Sequence, residues 1–132
     1  MDLYVGIHEN RRQLLLKHSL TVPPAVRVRA QIDTGSGPTV IDREILRNLD
    51  LTPAGRIGIL TPSTQGVPHE CDQYLVSIVL ADPNAGQHHP SVLVLASIFG
   101  AEEGVQALLG RDLLAGCTFL YDGPRNAFTL SY

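Results

Sequence analysis

Charge is sparse in this sequence and uneven in kind. Of 132 residues only 10 are Lys or Arg and 13 are Asp or Glu, a net charge of −3 at pH 7, and nine of the ten basic residues are Arg. No stretch gathers Lys and Arg into a patch, so the electrostatic footprint of a nucleic-acid binder is missing and no nucleic-acid partner is expected. Long apolar runs are missing too. The longest, residues 92–101, is about half a membrane span before Glu102 and Glu103 interrupt it, which argues against a membrane partner. Met1-Asp2 opens without a basic then apolar leader, which makes a soluble, cytoplasmic chain the expectation. Trp is absent and Cys occurs twice, at Cys71 and Cys117, without the CxxC spacing of zinc or redox sites. Two buried free thiols or one disulfide would each fit that pair. The five His form no ligand spacing, and His88-His89 reads as a solvated loop tip. No metal or other cofactor is expected. Linkers, repeats and low-complexity tracts are absent, so residues 1–132 are expected to form a single domain.

What is present favours strands. Hydrophobic residues make up 44% of the chain, enough for a core, and the 12 Gly and 9 Pro supply turns. Leu3, Val5 and Ile7 alternate with small or polar residues as in a half-buried strand, and residues 14–20 suit either a strand or one face of a short helix. Val26, Val28, Ala30 and Ile32 alternate with Arg27, Arg29 and Gln31, a clean period of two. After an extended Thr39-Val40-Ile41, Asp42 can cap a short helix whose Ile45, Leu46 and Leu49 share a face. Residues 56–60 and 73–80 read as the arms of a hairpin with a polar tip, residues 81–90 as a loop, and residues 92–99 as a buried strand. Residues 106–109 lead into a helical turn at Leu113-Leu114, and residues 118–121 and 127–130 close the chain as a last hairpin around Asp122-Gly123-Pro124.

Chemistry concentrates at one place. The strand through Ile32 ends in Asp33-Thr34-Gly35-Ser36-Gly37-Pro38, so a carboxylate sits where an extended strand turns sharply. Backbone N–H groups and neighbouring hydroxyls can hold it there while it faces a cleft. A buried Asp in an Asx turn would use the same residues for a purely structural purpose. About 75 residues downstream lies Leu108-Leu109-Gly110-Arg111-Asp112-Leu113-Leu114, an unusual apolar-Gly-Arg-Asp-apolar string, and the polar-tipped hairpin falls between the two.

With both strings in place the chain resembles the retropepsin-like aspartic proteases, over most of its length. Gln31-Ile32-Asp33-Thr34-Gly35-Ser36 is similar to their catalytic loop, Thr39-Val40-Ile41 to the strand after it, residues 56–80 to the flap hairpin, and residues 108–118 to the closing strand and helix. The resemblance implies a mostly β fold, a closed barrel with one or two short helices. It implies an aspartic endopeptidase in which one carboxylate activates a water while its protonated partner donates to the scissile carbonyl. Two carboxylates about 3 Å apart cannot both ionise readily, so such a pair titrates as a unit and favours an acidic optimum. Only Asp33 is followed by Thr or Ser and then Gly, so the second carboxylate has to come from another copy, making a C2 homodimer.

By the same resemblance Thr34 bonds to its symmetry mate, with a hydroxyl satisfying its own turn as the alternative. Gly35 lets backbone approach the substrate. Ser36 bonds the outer carboxylate oxygen, or is a plain turn serine. Leu60, Thr61, Pro62, Ser63, Thr64, Gln65 and Gly66 form the flap over an extended peptide or protein substrate, although Pro62 and Pro68 depart from the Gly-rich retroviral pattern. Gly110, Arg111 and Asp112 are structural; the acid that pairs with the Arg in the family is replaced by Gly37 or Pro38, which leaves Asp42, Asp112 or no partner for Arg111. Residues 117–132 match the C-terminal dimer hairpin of cellular and bacterial members better than residues 3–7 match an interleaved N-terminal strand. The competing reading is a catalytically silent retropepsin fold that serves as a dimerisation or peptide-binding module.

Overall fold

Alternation along the first strand sets the inside of the molecule. In a computed structural model that describes residues 1–80, 86–100 and 104–132, strand β1 (Asp2–Ile7) buries Leu3, Val5 and Ile7 and leaves Tyr4 outside. It pairs antiparallel with β2 (Val26–Ile32) on one side and β5 (His69–Leu80) on the other. That double pairing closes a ring of six strands, in the order β1, β2, β7 (Ala107–Leu109), β3 (Val40–Asp42), β6 (Gln87–Ser97) and β5. Closure removes most exposed edges. The interior is filled by Leu3, Val5, Val28, Ile41, Val76, Ile78, Val94 and Leu109, each 0% exposed. A short β4 (Gly55–Ile59) hangs on the free side of β5 as the arm of a hairpin, and β8 (Thr118–Asp122) with β9 (Ala127–Ser131) forms a separate two-stranded sheet.

Among the described residues three α-helices decorate the ring, one more than the upper expectation. Residues 14–20 resolve in favour of helix, as α1 (Glu9–Lys17), which His8 caps through Nδ1 and on which Glu9 accepts from Gln13 and Arg12. Its three consecutive leucines cannot share a face, so only Leu15 reaches the core while Leu14 and Leu16 stay exposed. Helix α2 (Arg43–Asn48) matches its sequence signals: Asp42 accepts from the Glu44 N–H at 2.9 Å, and Ile45, Leu46 and Leu49 are buried.

Two expectations need correction around β6. Residues 81–85 of the expected loop lie outside the described residues, but residues 87–90 belong to β6, whose pairing with β5 jumps register between Val76 and Ile78. Pro90 and Ser91 face that irregularity, and a proline without an N–H is tolerated in a strand at such a bulge. His88-His89 is therefore strand, not a loop tip. His89 lies opposite the buried Ile78, and its Nε2 is buried without a hydrogen-bond partner among the described residues. The stretch read as buried, residues 92–99, is buried at Val94, Leu95 and Ala96 only, and Leu93 and Ile98 are exposed. Cys71 and Cys117 are free and half-buried.

A threading arrangement positions the loop that follows β2. Strand β7 runs parallel to β2, with Ile32 opposite Leu109, and antiparallel to β3, with Val40 opposite Leu108. The chain thus leaves β2 on one side of β7, turns through residues 33–39, and returns on the other side. Beneath the turn, Gly110 is followed by α3 (Arg111–Leu114). A Cβ on Gly110 would sit 2.4 Å from the Pro38 carbonyl oxygen, so no other residue fits. Fully buried Thr39 donates its N–H and hydroxyl to the two Asp112 carboxylate oxygens at 2.8 and 2.7 Å, and its Oγ1 accepts from the Gly110 N–H at 3.0 Å. Asp112 also accepts from the Leu113 N–H. Arg111 forms no ion pair among the described residues, the third of the outcomes expected for it.

Asp112→Ala leaves both Thr39 donors without an acceptor and is expected to cost about 1–3 kcal/mol in urea unfolding, with Asp112→Asn costing less because one carbonyl oxygen survives. A second expectation concerns pH. Burial, reinforced by His88 and opposed by Asp112, pushes the His89 imidazole below its ordinary 6.5. The unfolded chain then takes up that proton first, so this part of the stability is complete above about pH 6.5 and is lost as the pH falls towards the folded value. His89→Gln should flatten the decline in urea midpoint between pH 7 and 5.

Candidate active site

The loop threaded by β7 holds its acid by backbone. The Asp33 N–H extends the β2–β7 ladder to the Leu109 carbonyl at 3.0 Å, and the Ser36 N–H donates back to the Asp33 carbonyl at 3.2 Å. Asp33 Oδ1 accepts from the Gly35 N–H at 3.0 Å, which fixes the carboxylate over the turn. The Arg111 and Asp112 N–H groups donate to the Ser36 and Gly37 carbonyls, both at 3.0 Å, so the far side of the loop is stitched to the start of α3. The Ser36 hydroxyl donates to the Pro38 carbonyl at 2.6 Å and not to the carboxylate: of its two readings, the turn serine is the one observed. Thr34 is exposed and makes no hydrogen bond among the described residues, so its hydroxyl does not satisfy its own turn.

Half-buried Asp33 opens onto a cleft of about 1090 Å³ between this loop and the β4–β5 hairpin. Its floor includes Gly35 and Ser36, and its roof includes Leu60, Thr61, Pro62, Ser63 and Thr64. Gln65, Gly66 and Thr34 do not line it. The hairpin tip is a self-bonded turn. Pro62–Thr64 form a single 3-10 turn, the Thr61 N–H donates to Thr64 Oγ1 at 3.0 Å, and Thr64 Oγ1 donates to the Thr61 carbonyl at 2.8 Å. Gln65 and Gly66 then take positive φ values of 50° and 81°, a reversal that glycine tolerates at no cost.

Sequence reasoning missed part of the wall. Val40, Leu95, Ile98, Phe99 and Leu108 make most of it apolar, and His69 and Cys71 face it from β5. The sequence pattern starts this strand at Gln73, whereas β5 begins at His69, so the last two fall outside the expected strand. The available signal was register: if residues 56–60 form one arm, pairing across the tip carries the other arm back to residue 69. Gly110, Arg111 and Asp112 lie behind the loop, not in the cleft. Among the described residues no three His, Cys, Asp or Glu side chains converge as a metal site, and no helix is long and apolar enough to cross a membrane.

No family model and no curated protein matches the chain. Solved structures do. A retropepsin-like aspartic protease from Rickettsia conorii superposes with a TM-score of 0.57 at 15% identity, over 99% of this chain and 81% of its own. The retroviral protease-like domain of Ddi1 from Leishmania major follows at 0.47 and 14%, over 98% and 86% of the two chains. EIAV protease complexed with the inhibitor HBY-793 gives 0.44 and 21%, over 70% and 77%. A six-strand ring threaded by β7, together with a likeness to the Rickettsia conorii structure that spans almost the whole chain, gives this protein a retropepsin-like fold.

Proposed function

We propose that residues 1–132 act as one aspartic protease domain and that two copies form a homodimeric endopeptidase with Asp33 of each at a shared centre. The observation that carries this reading is the intact Asp33-Thr34-Gly35-Ser36 loop, with its carboxylate held by the Gly35 N–H and facing a cleft large enough for several peptide residues. Asp33 is the sole acid lining that cleft among the described residues, so an acid–base pair needs a twofold mate. Paired carboxylates share one proton. The ionised one takes a proton from water as its oxygen attacks the scissile carbonyl carbon. The protonated one donates to the carbonyl oxygen, and collapse of the tetrahedral species passes a proton to the departing amine. Exposed Thr34 is free to bond its symmetry mate. Substrate would lie extended between floor and roof, its side chains alternating into the apolar walls.

The C-terminal hairpin supports the dimer. On one face of β8–β9 stand Phe119, Tyr121, Phe128 and Leu130, with the two Phe rings 5.9 Å apart, and an isolated hairpin of this kind is marginal by itself in water. Strand β1 is already paired on both sides within its own barrel and offers no free edge. The second reading, a silent peptide-binding module, draws on the flap, whose self-bonded, proline-flanked tip lacks the Gly-rich retroviral character.

Cleavage of a mixed peptide library between pH 4 and 7 should fall at least about a hundredfold in Asp33→Asn; undiminished cleavage would remove the catalytic assignment, and none by the native chain would leave the binding module. Separately, Phe128→Asp is expected to halve the mass in sedimentation and abolish cleavage together, while a native chain that cleaves as a strict monomer would dismiss the dimer.

A further inference from the structure

The β4–β5 hairpin sorts its side chains by face. Opposed residues in an antiparallel pair share a face, so Ile59 with His69, and Ile57 with Cys71, stand on one side, while Arg56 with Asp72, and Gly58 with Glu70, stand on the other. On the outer side Arg56 engages Asp72 at 3.0 Å and Glu70 at 3.6 Å, so those three charges pair with one another away from the cleft, with one negative charge in excess. Ile59, His69 and Cys71 line the cleft. Among the described residues that line it, Asp33, Cys71 and His69 are the only ones that ionise, and no Lys, Arg or Glu is present. The His69 residue is exposed, and its imidazole is engaged by no hydrogen bond or ion pair among the described residues. The cleft therefore has apolar walls, one acid in the floor and one base in the roof.

A side chain placed there cannot be a packing element of the barrel. Its imidazole offers N–H donors to whatever peptide occupies the cleft. The floor carboxylate would repel an acidic substrate side chain beside the scissile bond, so an acid is accommodated only where the roof imidazole meets it.

From this arrangement we infer that His69 is a specificity determinant that selects substrates carrying Asp or Glu at the residue lying beneath the roof hairpin, in an otherwise apolar peptide. The inference rests on the peptide-cleft reading above. In a C2 dimer a second His69 lies over the other half of the cleft, so the acidic preference recurs on the opposite side of the scissile bond.

The test uses octapeptides with an apolar pair at the centre and Glu, Gln or Lys placed in turn at each flanking position. Binding to Asp33→Asn is read by fluorescence anisotropy at pH 5, so that cleavage is not required. Glu is expected to bind about fivefold tighter than Gln at one position on each side, and Lys more weakly than either. His69→Gln should erase the Glu-to-Gln ratio, and His69→Lys should keep it. Equal binding of Glu and Gln peptides at every position, or a ratio that survives in His69→Gln, overturns the inference. Cleavage of the same peptides by the native chain is scored separately: selective binding without cleavage keeps His69 and removes the protease, cleavage without selectivity does the reverse, and no binding of any peptide overturns both.

Discussion

Everything distinctive in this molecule depends on β7 passing between β2 and β3. The two flanking strands are joined by only seven residues, 33–39, so the connection must arch tightly over the end of β7, and the arch carries Asp33 at its start. Three constraints keep it in place. Gly110 makes room for the Pro38 carbonyl, Thr39 is locked to Asp112 by two hydrogen bonds, and two N–H groups at the start of α3 hold the Ser36 and Gly37 carbonyls. The loop that carries the carboxylate is thus held by backbone contacts, the carboxylate itself takes one N–H from Gly35, and the pre-organisation comes from geometry rather than from a partner charge.

This explains an apparent division of labour between two acids of similar setting. Asp33 accepts one hydrogen bond and opens to the cleft, whereas Asp112 accepts three and is consumed by them. The first has lone pairs to spare for water and substrate; the second is a clamp. Arg111, set between the clamp and the loop, contributes through its N–H to Ser36 and not through its guanidinium. The roof of the cleft follows a different logic. There, strand alternation alone decides that Arg56, Glu70 and Asp72 pair outside while His69 and Cys71 look in.

The local features were legible because they arise from local physics. A period of two over residues 26–32 reads as a half-buried strand, Asp42 caps the helix that follows it, and the residue types of Asp33-Thr34-Gly35-Ser36 favour the sharp turn seen here. The retropepsin-like fold was legible through the family resemblance that the loop and the Gly110-Arg111-Asp112 string carry, and the two strings meet in the structure as one contact. Two misreadings came from taking sequence signals without their surroundings. Pro90 and a His pair suggested a loop, but a bulge absorbs the proline and β5 supplies the partner strand. The apolar run 92–99 suggested a strand buried throughout, but Leu93 and Ile98 are exposed.

Sequence alone thus specified which segments extend, where the chain turns and which carboxylate is placed at a turn, since each depends on neighbours within a few residues. Tertiary structure decided the rest: that β1 closes the ring against β5, that Asp112 spends its oxygens on Thr39, and that His69 shares a cleft with Asp33. Those outcomes rest on strand register and on contacts between residues far apart in the chain, and a shift of one residue in β5 would have turned His69 outward and Glu70 in.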